Sequence, residues 1–155
     1  MLLSFPYHEN YTDLSRLEAS LLTAFLPTPG QPLSLAFIGS GPLPLTSIHL
    51  LSHFPTATIH NIDRDANALQ QGRLLAKRLG YATRMSFACE DAGAGGESHW
   101  DDFDVVFLAA LVGMTSEEKL GILRVLAGRL RAGCLVVCRS ARGMRGVLYP
   151  VRSRE

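Results

Sequence analysis

The sequence predicts an α/β protein built on a doubly wound parallel sheet. Short apolar runs alternate with amphipathic stretches of helical length along most of the chain, which is the pattern of β-α-β rotation. Two runs, 108–112 and 134–138, are apolar without interruption, as strands covered on both faces are. The first strand also runs straight into Gly39-Ser40-Gly41, at the end of the sheet where such proteins admit ligands.

Taken in order, the opening Tyr7-His8-Glu9-Asn10-Tyr11-Thr12-Asp13-Leu14-Ser15-Arg16-Leu17-Glu18 continues to Leu21, Leu22 and Phe25. Its apolar residues keep helical spacing until Pro27 and Pro29 stop it. Residues 1–30 therefore read as an N-terminal helical segment ahead of one domain over 31–155. Leu33-Ser34-Leu35-Ala36-Phe37-Ile38 supplies a strand over 33–39, followed by a helix over 45–53 and a strand over 57–62. A helix over 65–79, strands over 84–89 and 103–110, a helix over 115–131 and a strand over 134–139 complete the rotation. Gly80, Gly113 and Gly133 stand at the corners, and Ala92-Gly93-Ala94-Gly95-Gly96 reads as a flexible loop between the third and fourth strands.

Composition bounds the function. A chain of 155 residues can bury a core without disulfides or metal staples, and 47% hydrophobic against 19% charged residues excludes a disordered chain. A net charge of +1 supplies no field that would draw nucleic acid; the four arginines from Arg139 to Arg152 make only a local basic patch. Cys89, Cys134 and Cys138 are odd in number, two of them sit in strand-like runs, and no second Cys or His pair stands at a zinc-binding interval. No apolar stretch approaches the ~18 residues of a membrane span, and no basic signal-peptide region opens the chain. The expectation is a soluble cytoplasmic protein with reduced thiols, no membrane partner and no metal site.

The strand ends carry the candidate chemistry. Gly39, Ser40 and Gly41 let the backbone approach a ligand, while Pro42 and Pro44 remove donors that a pyrophosphate would need at the next helix start. Asp63 closes the second strand about 20 residues on, where a carboxylate can accept both hydroxyls of a ribose. Asp91 follows the third strand, placed to accept an adenine amino proton, and Ala109, Ala110, Leu111 and Val112 supply an apolar floor beneath a base. Together they describe an adenosine pocket without phosphate. Each alone has a plainer reading, as a tight turn or a helix N-cap.

Four blocks carry a resemblance. Phe5-Pro6-Tyr7-His8-Glu9-Asn10-Tyr11, residues 36–48 with Gly39-Ser40-Gly41-Pro42-Leu43-Pro44-Leu45-Thr46, residues 104–114, and Arg139-Ser140-Ala141 through Leu148-Tyr149-Pro150 together resemble nicotianamine synthase. The resemblance implies a Rossmann-like fold of the S-adenosylmethionine methyltransferase type, used for transfer of 3-amino-3-carboxypropyl groups. It implies S-adenosylmethionine as substrate, methylthioadenosine as leaving product, and a product that chelates iron, zinc, copper and nickel. Members of that family carry further chain on both sides. The expected sheet therefore lacks its last strands and leaves 134–139 at an exposed edge, through which two copies could associate.

Such a transfer needs a deprotonated amine in line with the γ-carbon of the methionine moiety, with a base in reach. Tyr7, Tyr11, Leu14 and Glu18 share one helix face, and a carboxylate on a mostly apolar face favours a raised pKa. Glu18 is the expected proton acceptor or ammonium anchor, with Glu9 second and Tyr11 nearby; its plainer role is a solvated partner of Arg16 or Lys77. Arg139 and Arg145 are the expected ligands of a substrate carboxylate. Two alternatives stay open: an ordinary S-adenosylmethionine-dependent methyltransferase, and a non-catalytic nucleoside-binding remnant.

Overall fold

The computed structural model describes residues 8–26, 31, 33–94 and 96–139. The chain runs α1 (His8–Phe25), β1 (Ser34–Ile38), α2 (Leu45–His53), β2 (Thr58–Asp63), α3 (Ala66–Arg78), β3 (Met85–Cys89), a 3-10 turn (Trp100–Asp102), β4 (Val105–Leu108), α4 (Ser116–Ala127) and β5 (Leu135–Cys138). All pairings are parallel, in the order β3-β2-β1-β4-β5. The chain steps outward from β1 to β3, then returns to pair β4 on the other side of β1. The C-terminal ends of β1 and β4 thus flank the crevice where a doubly wound sheet binds its ligand.

Local chemistry explains where the helices begin. Asp65 caps α3 by accepting from the Asn67 and Ala68 N–H groups. Thr115 and Glu118 form a reciprocal capping box at α4. Only proline precedes α2: Pro44 stands at its N-cap and offers no side-chain bond.

The sheet separates two apolar cores. Leu35 and Phe37 of β1 pack with Val105 and Phe107 against Ala19 and Leu22 of α1, Ile48, Leu50 and Leu51 of α2 and Ala76 of α3. The alternate residues Ala36 and Ile38 pack with Val106 and Leu108 against Leu126 of α4, Trp100 and Phe103. Period-two alternation along β1 therefore feeds both cores, and α1 is part of the first of them.

Two expectations are corrected. The run 108–112 is not all strand: β4 ends at Leu108, the Val112 N–H turns back to the Ala109 carbonyl, and Leu111 is 49% exposed. The chain turns there because Gly113, at φ +66°, lies so close to Lys119 that a Cβ would stand 2.9 Å from its backbone. The run 134–138 is not covered on both faces either. β5 alternates half-buried and exposed, with Val136 40% exposed, because it is the terminal strand of the described sheet. The last helix also stops sooner than its sequence pattern, at Ala127 with Gly128 as cap, and the turn at Trp100–Asp102 had no counterpart in the expected elements.

Candidate functional site

The crevice is built around the turn 39–41. The Gly39 and Ser40 N–H groups both reach the Ile62 carbonyl, at 2.7 and 3.3 Å, which stitches the turn to the end of β2. Gly39 sits at φ +82°, and a Cβ there would collide with the Val112 side chain and stand 3.0 Å from the Ala109 Cβ. Only glycine lets the turn and the loop after β4 close on each other. From the other side Gly72 of α3 packs beneath the turn, its Cβ position 3.7 Å from the Gly41 carbonyl.

Asp63 reaches into the same place. Its Oδ2 accepts from the Gly41 N–H at 2.8 Å and its Oδ1 from the Asp65 N–H at 3.0 Å. Each oxygen keeps lone-pair capacity, and a carboxylate so oriented is ready to accept from a diol. Ser40 is buried at 7% exposure, yet its hydroxyl has no hydrogen-bond partner among the described residues. A buried hydroxyl without a partner costs free energy unless something fills the gap. Pro42 is exposed beside it and Pro44 is buried.

Beyond the turn lies a buried ion pair. Arg139, just past β5, donates from Nε to Glu18 Oε1 at 2.8 Å and from Nη2 to Glu18 Oε2 at 2.7 Å. The same Nη2 donates to the Thr46 hydroxyl at 2.9 Å, and the guanidinium lies 5.2 Å from the Phe37 ring centre. Their side chains are 7% and 5% exposed. The pair ties α1 to β5 and to the first turn of α2, at the same end of the sheet as the glycine turn. The sequence assigned Glu18 and Arg139 separate tasks, or gave Glu18 to Arg16 or Lys77. Instead Arg16 pairs with Asp13 on the surface, and Glu18 and Arg139 hold each other. Helical spacing could place Glu18 on a face but could not see a residue 121 positions away.

The remaining expected residues scatter. Glu9 is exposed on the first turn of α1, and Tyr11, two residues on in the same turn, is half-buried. Asp91 is exposed, its Oδ1 accepting from the Gly93 N–H at 2.9 Å, with Arg64 at 3.8 Å. Ala110 is half-buried and Leu111 exposed in the loop beside Gly39. Tyr7 and Arg145 lie outside the described residues.

The family model described as nicotianamine synthase protein matches residues 1–155. The chain belongs to this family. Nicotianamine synthase 3 of Oryza sativa subsp. indica is 45% identical over 153 residues, covering 97% of this chain and 44% of that protein. Nicotianamine synthase 2 of Arabidopsis thaliana is 42% identical over 149 residues, covering 95% of this chain and 46% of that protein. The chain thus spans less than half the length of the relatives it matches. Among solved structures, that of MtNAS in complex with MTA and tNA superposes with a TM-score of 0.71 and 30% identity, over 96% of this chain and 52% of that one. The mitomycin 7-O-methyltransferase MmcR superposes with a TM-score of 0.62 at 19% identity, over 96% of this chain and 45% of that one, a likeness of fold alone.

Within this nicotianamine synthase scaffold two contributors escaped the sequence reading. Thr46 is a buried hydroxyl in the first turn of α2, next to the equally buried Ser47, and two polar residues between Leu45 and Ile48 were the available signal. Lys119 looked like one more charge on a surface helix; its ammonium instead donates to the carbonyls of Ala109 (3.1 Å), Ala110 (3.3 Å) and Val112 (2.5 Å). Burial pushes its pKa below the usual lysine value, and Cys138 opposes that shift. Among the described residues no group of three or more His, Cys, Asp or Glu side chains could hold a metal, the three cysteines are free, and no helix is long and apolar enough to cross a membrane.

Proposed function

We propose that this chain carries the S-adenosylmethionine-binding core of a nicotianamine synthase, moving a 3-amino-3-carboxypropyl group to an amine and releasing methylthioadenosine. One observation carries the proposal: in a chain of this family, the Gly39–Gly41 turn at the β1/β4 crevice is bonded to Asp63 and flanked by the unpartnered Ser40 hydroxyl. The relative solved with MTA and tNA supports it. Asp63 accepts from the ribose hydroxyls, Ser40 bonds the amino-acid end, Ala110 and Leu111 lie under the base, and Asp91 takes the adenine amino group.

The chemistry then falls to the ion pair. A substrate amine bonds to the γ-carbon, the carbon–sulfur bond breaks, and its electron pair leaves on sulfur as a neutral thioether. The amine must shed a proton, and Glu18 is its acceptor. Arg139 is placed to take a substrate carboxylate in exchange for part of its hold on Glu18, so an incoming amino acid replaces one ion pair by two. Glu9, Tyr11 and Arg145 stand as secondary candidates. Because the leaving group is neutral, the transfer itself calls on no metal. The reading extends to a cytoplasmic role in supplying a metal chelator, with small molecules as partners and any self-association made through the β5 edge.

The test is incubation of the purified protein with S-adenosylmethionine, followed by mass spectrometry. Methylthioadenosine together with nicotianamine is expected; S-adenosylhomocysteine in its place would reassign the chain to methyl transfer. Asp63→Ala should weaken methylthioadenosine binding by about 1–3 kcal/mol in calorimetry, the loss of bonds to a charged acceptor. Unchanged affinity removes Asp63 from the pocket.

A further inference from the structure

The loop from Ala109 to Thr115 joins β4 to α4 without regular structure, yet it forms one wall of the crevice. Its outer side chains, Leu111 and Met114, are both 49% exposed, while Ala109 and Val112 at its inner side pack at the margins of the two cores. Its backbone is tied down at few points: the Ala109 N–H reaches the Ile38 carbonyl at 3.0 Å, and the Val112 N–H turns back to Ala109 at 3.2 Å. What remains is three carbonyls converging on one point, and Lys119 fills that point.

An ammonium has three donors and no acceptor, so three carbonyls of one loop saturate it. Hydrogen bonds from a charged donor are about twice as strong as neutral ones. The side chain arrives from the first turn of α4, whose start is fixed by the Thr115–Glu118 capping box. Gly113 allows the approach, because its bare Cα lies against the Lys119 backbone. The clamp therefore acts like a bound cation at the bend of the wall. Opposite it, Val112 and Ala109 press on Gly39, so the position of the wall and the position of the glycine turn are set together.

We propose that Lys119 is a positioning residue for the adenosyl group: by holding the carbonyls of Ala109, Ala110 and Val112, it fixes the crevice wall at the spacing from Gly39 that the nucleoside requires. This rests on the nucleoside reading given above. Lys119 itself has its three donors spent on the loop, so it acts through the wall and not on the substrate. The wall's alternative is a loop with the Ala110 and Val112 carbonyls turned to water and Ala109's held only by the Val112 N–H, which would let Leu111 and Val112 shift against the turn.

The experiment is calorimetric titration of methylthioadenosine into the wild-type chain, Lys119→Met, Lys119→Gln and Lys119→Arg, with urea denaturation of each as a control on folding. Lys119→Met and Lys119→Gln should bind at least about tenfold more weakly while remaining folded at the assay temperature, because a wall no longer held in advance must be ordered when the nucleoside binds. Lys119→Arg keeps a charged donor and should recover part of the loss, which a purely volumetric role would not produce. Amide exchange at residues 110–113 should speed up in the two neutral variants. Neutral variants that bind within about twofold of wild type, or exchange that stays unchanged, would overturn the proposal. Unfolding of both neutral variants would assign Lys119 to folding and overturn it as well. A wild-type chain that binds no methylthioadenosine refutes the nucleoside reading itself, an outcome separate from any difference among the variants.

Discussion

Replacing Glu18 by Gln tests the central ion pair and the chemistry assigned to it. Removing one partner of a buried pair typically costs ~3–5 kcal/mol, because the other charge stays buried without compensation. Arg139 would be that charge, with its side chain 7% exposed. Glutamine keeps the shape and one acceptor, so it retains one hydrogen bond to the guanidinium, worth ~1.5–3 kcal/mol. Thr46 and the face of Phe37 also remain beside the cation. The expected net loss is ~2 kcal/mol, which at a urea slope of ~2 kcal/mol per molar shifts the midpoint down by ~1 M. Arg139→Met leaves the carboxylate stranded without its cation and should cost the full ~3–5 kcal/mol. The double change Glu18→Leu with Arg139→Met removes both charges and should be nearly neutral or stabilising, as apolar replacements of buried pairs often are. Asp13→Asn, at the exposed Arg16 pair, should stay within ~1 kcal/mol of wild type. The assay is equilibrium urea unfolding followed by circular dichroism. A Glu18→Gln protein within ~0.5 kcal/mol of wild type, or single and double changes that simply add, would falsify the buried pair. Turnover separates the catalytic part: Glu18→Gln should bind methylthioadenosine nearly as wild type does yet form product far more slowly.

Three further outcomes follow from named groups. Ser40→Ala deletes a hydroxyl that bonds nothing among the described residues; it should leave urea stability unchanged or slightly raised while weakening S-adenosylmethionine binding by ~0.5–1.5 kcal/mol and sparing methylthioadenosine, which lacks the amino-acid end. A stability loss without an affinity loss would remove Ser40 from the site. His60 bonds Ser86 through Nδ1 (2.7 Å) and Ser98 through Nε2 (3.0 Å), stacks on Phe103, and has its pKa pushed below 6.5 by burial, against an opposing pull from Glu90. The unfolded chain therefore takes up the proton first as pH falls below 6.5, so wild-type stability should decline from there toward the lower folded pKa. His60→Gln should flatten that part of the pH–stability curve, and parallel curves for the two proteins would refute the assignment. Gly39→Ala meets both a positive φ and the Val112 side chain; it should lower the melting temperature and abolish nucleoside binding in calorimetry, and a protein that still binds normally would show that the turn and the wall do not close on each other.

Much of the fold was legible because its rules are local. The apolar run at 33–38, helical spacing in 8–25 and glycines at element ends mark where strands and helices begin and stop, and each depends on residues a few positions apart. The two misread apolar runs have one source. Apolar runs at 108–112 and 134–138 read as buried strands, but whether a run continues as strand or is covered depends on what lies beside it. One run was bent by Gly113 and the Lys119 clamp, and the other became the terminal strand of the described sheet.

The same division holds for the candidate site. The sequence alone determined the β-α-β rotation, the glycine turn and the acids that close the second and third strands, since these are set by neighbours along the chain. Only the tertiary structure decided that Glu18 meets Arg139 across 121 positions and that Thr46 supports them. It alone turned Lys119 from a surface charge into the clamp on Ala109, Ala110 and Val112. The physical reason is that a charge's partner is chosen by proximity in space and by the cost of burying it alone, and neither quantity is written in the spacing of residues.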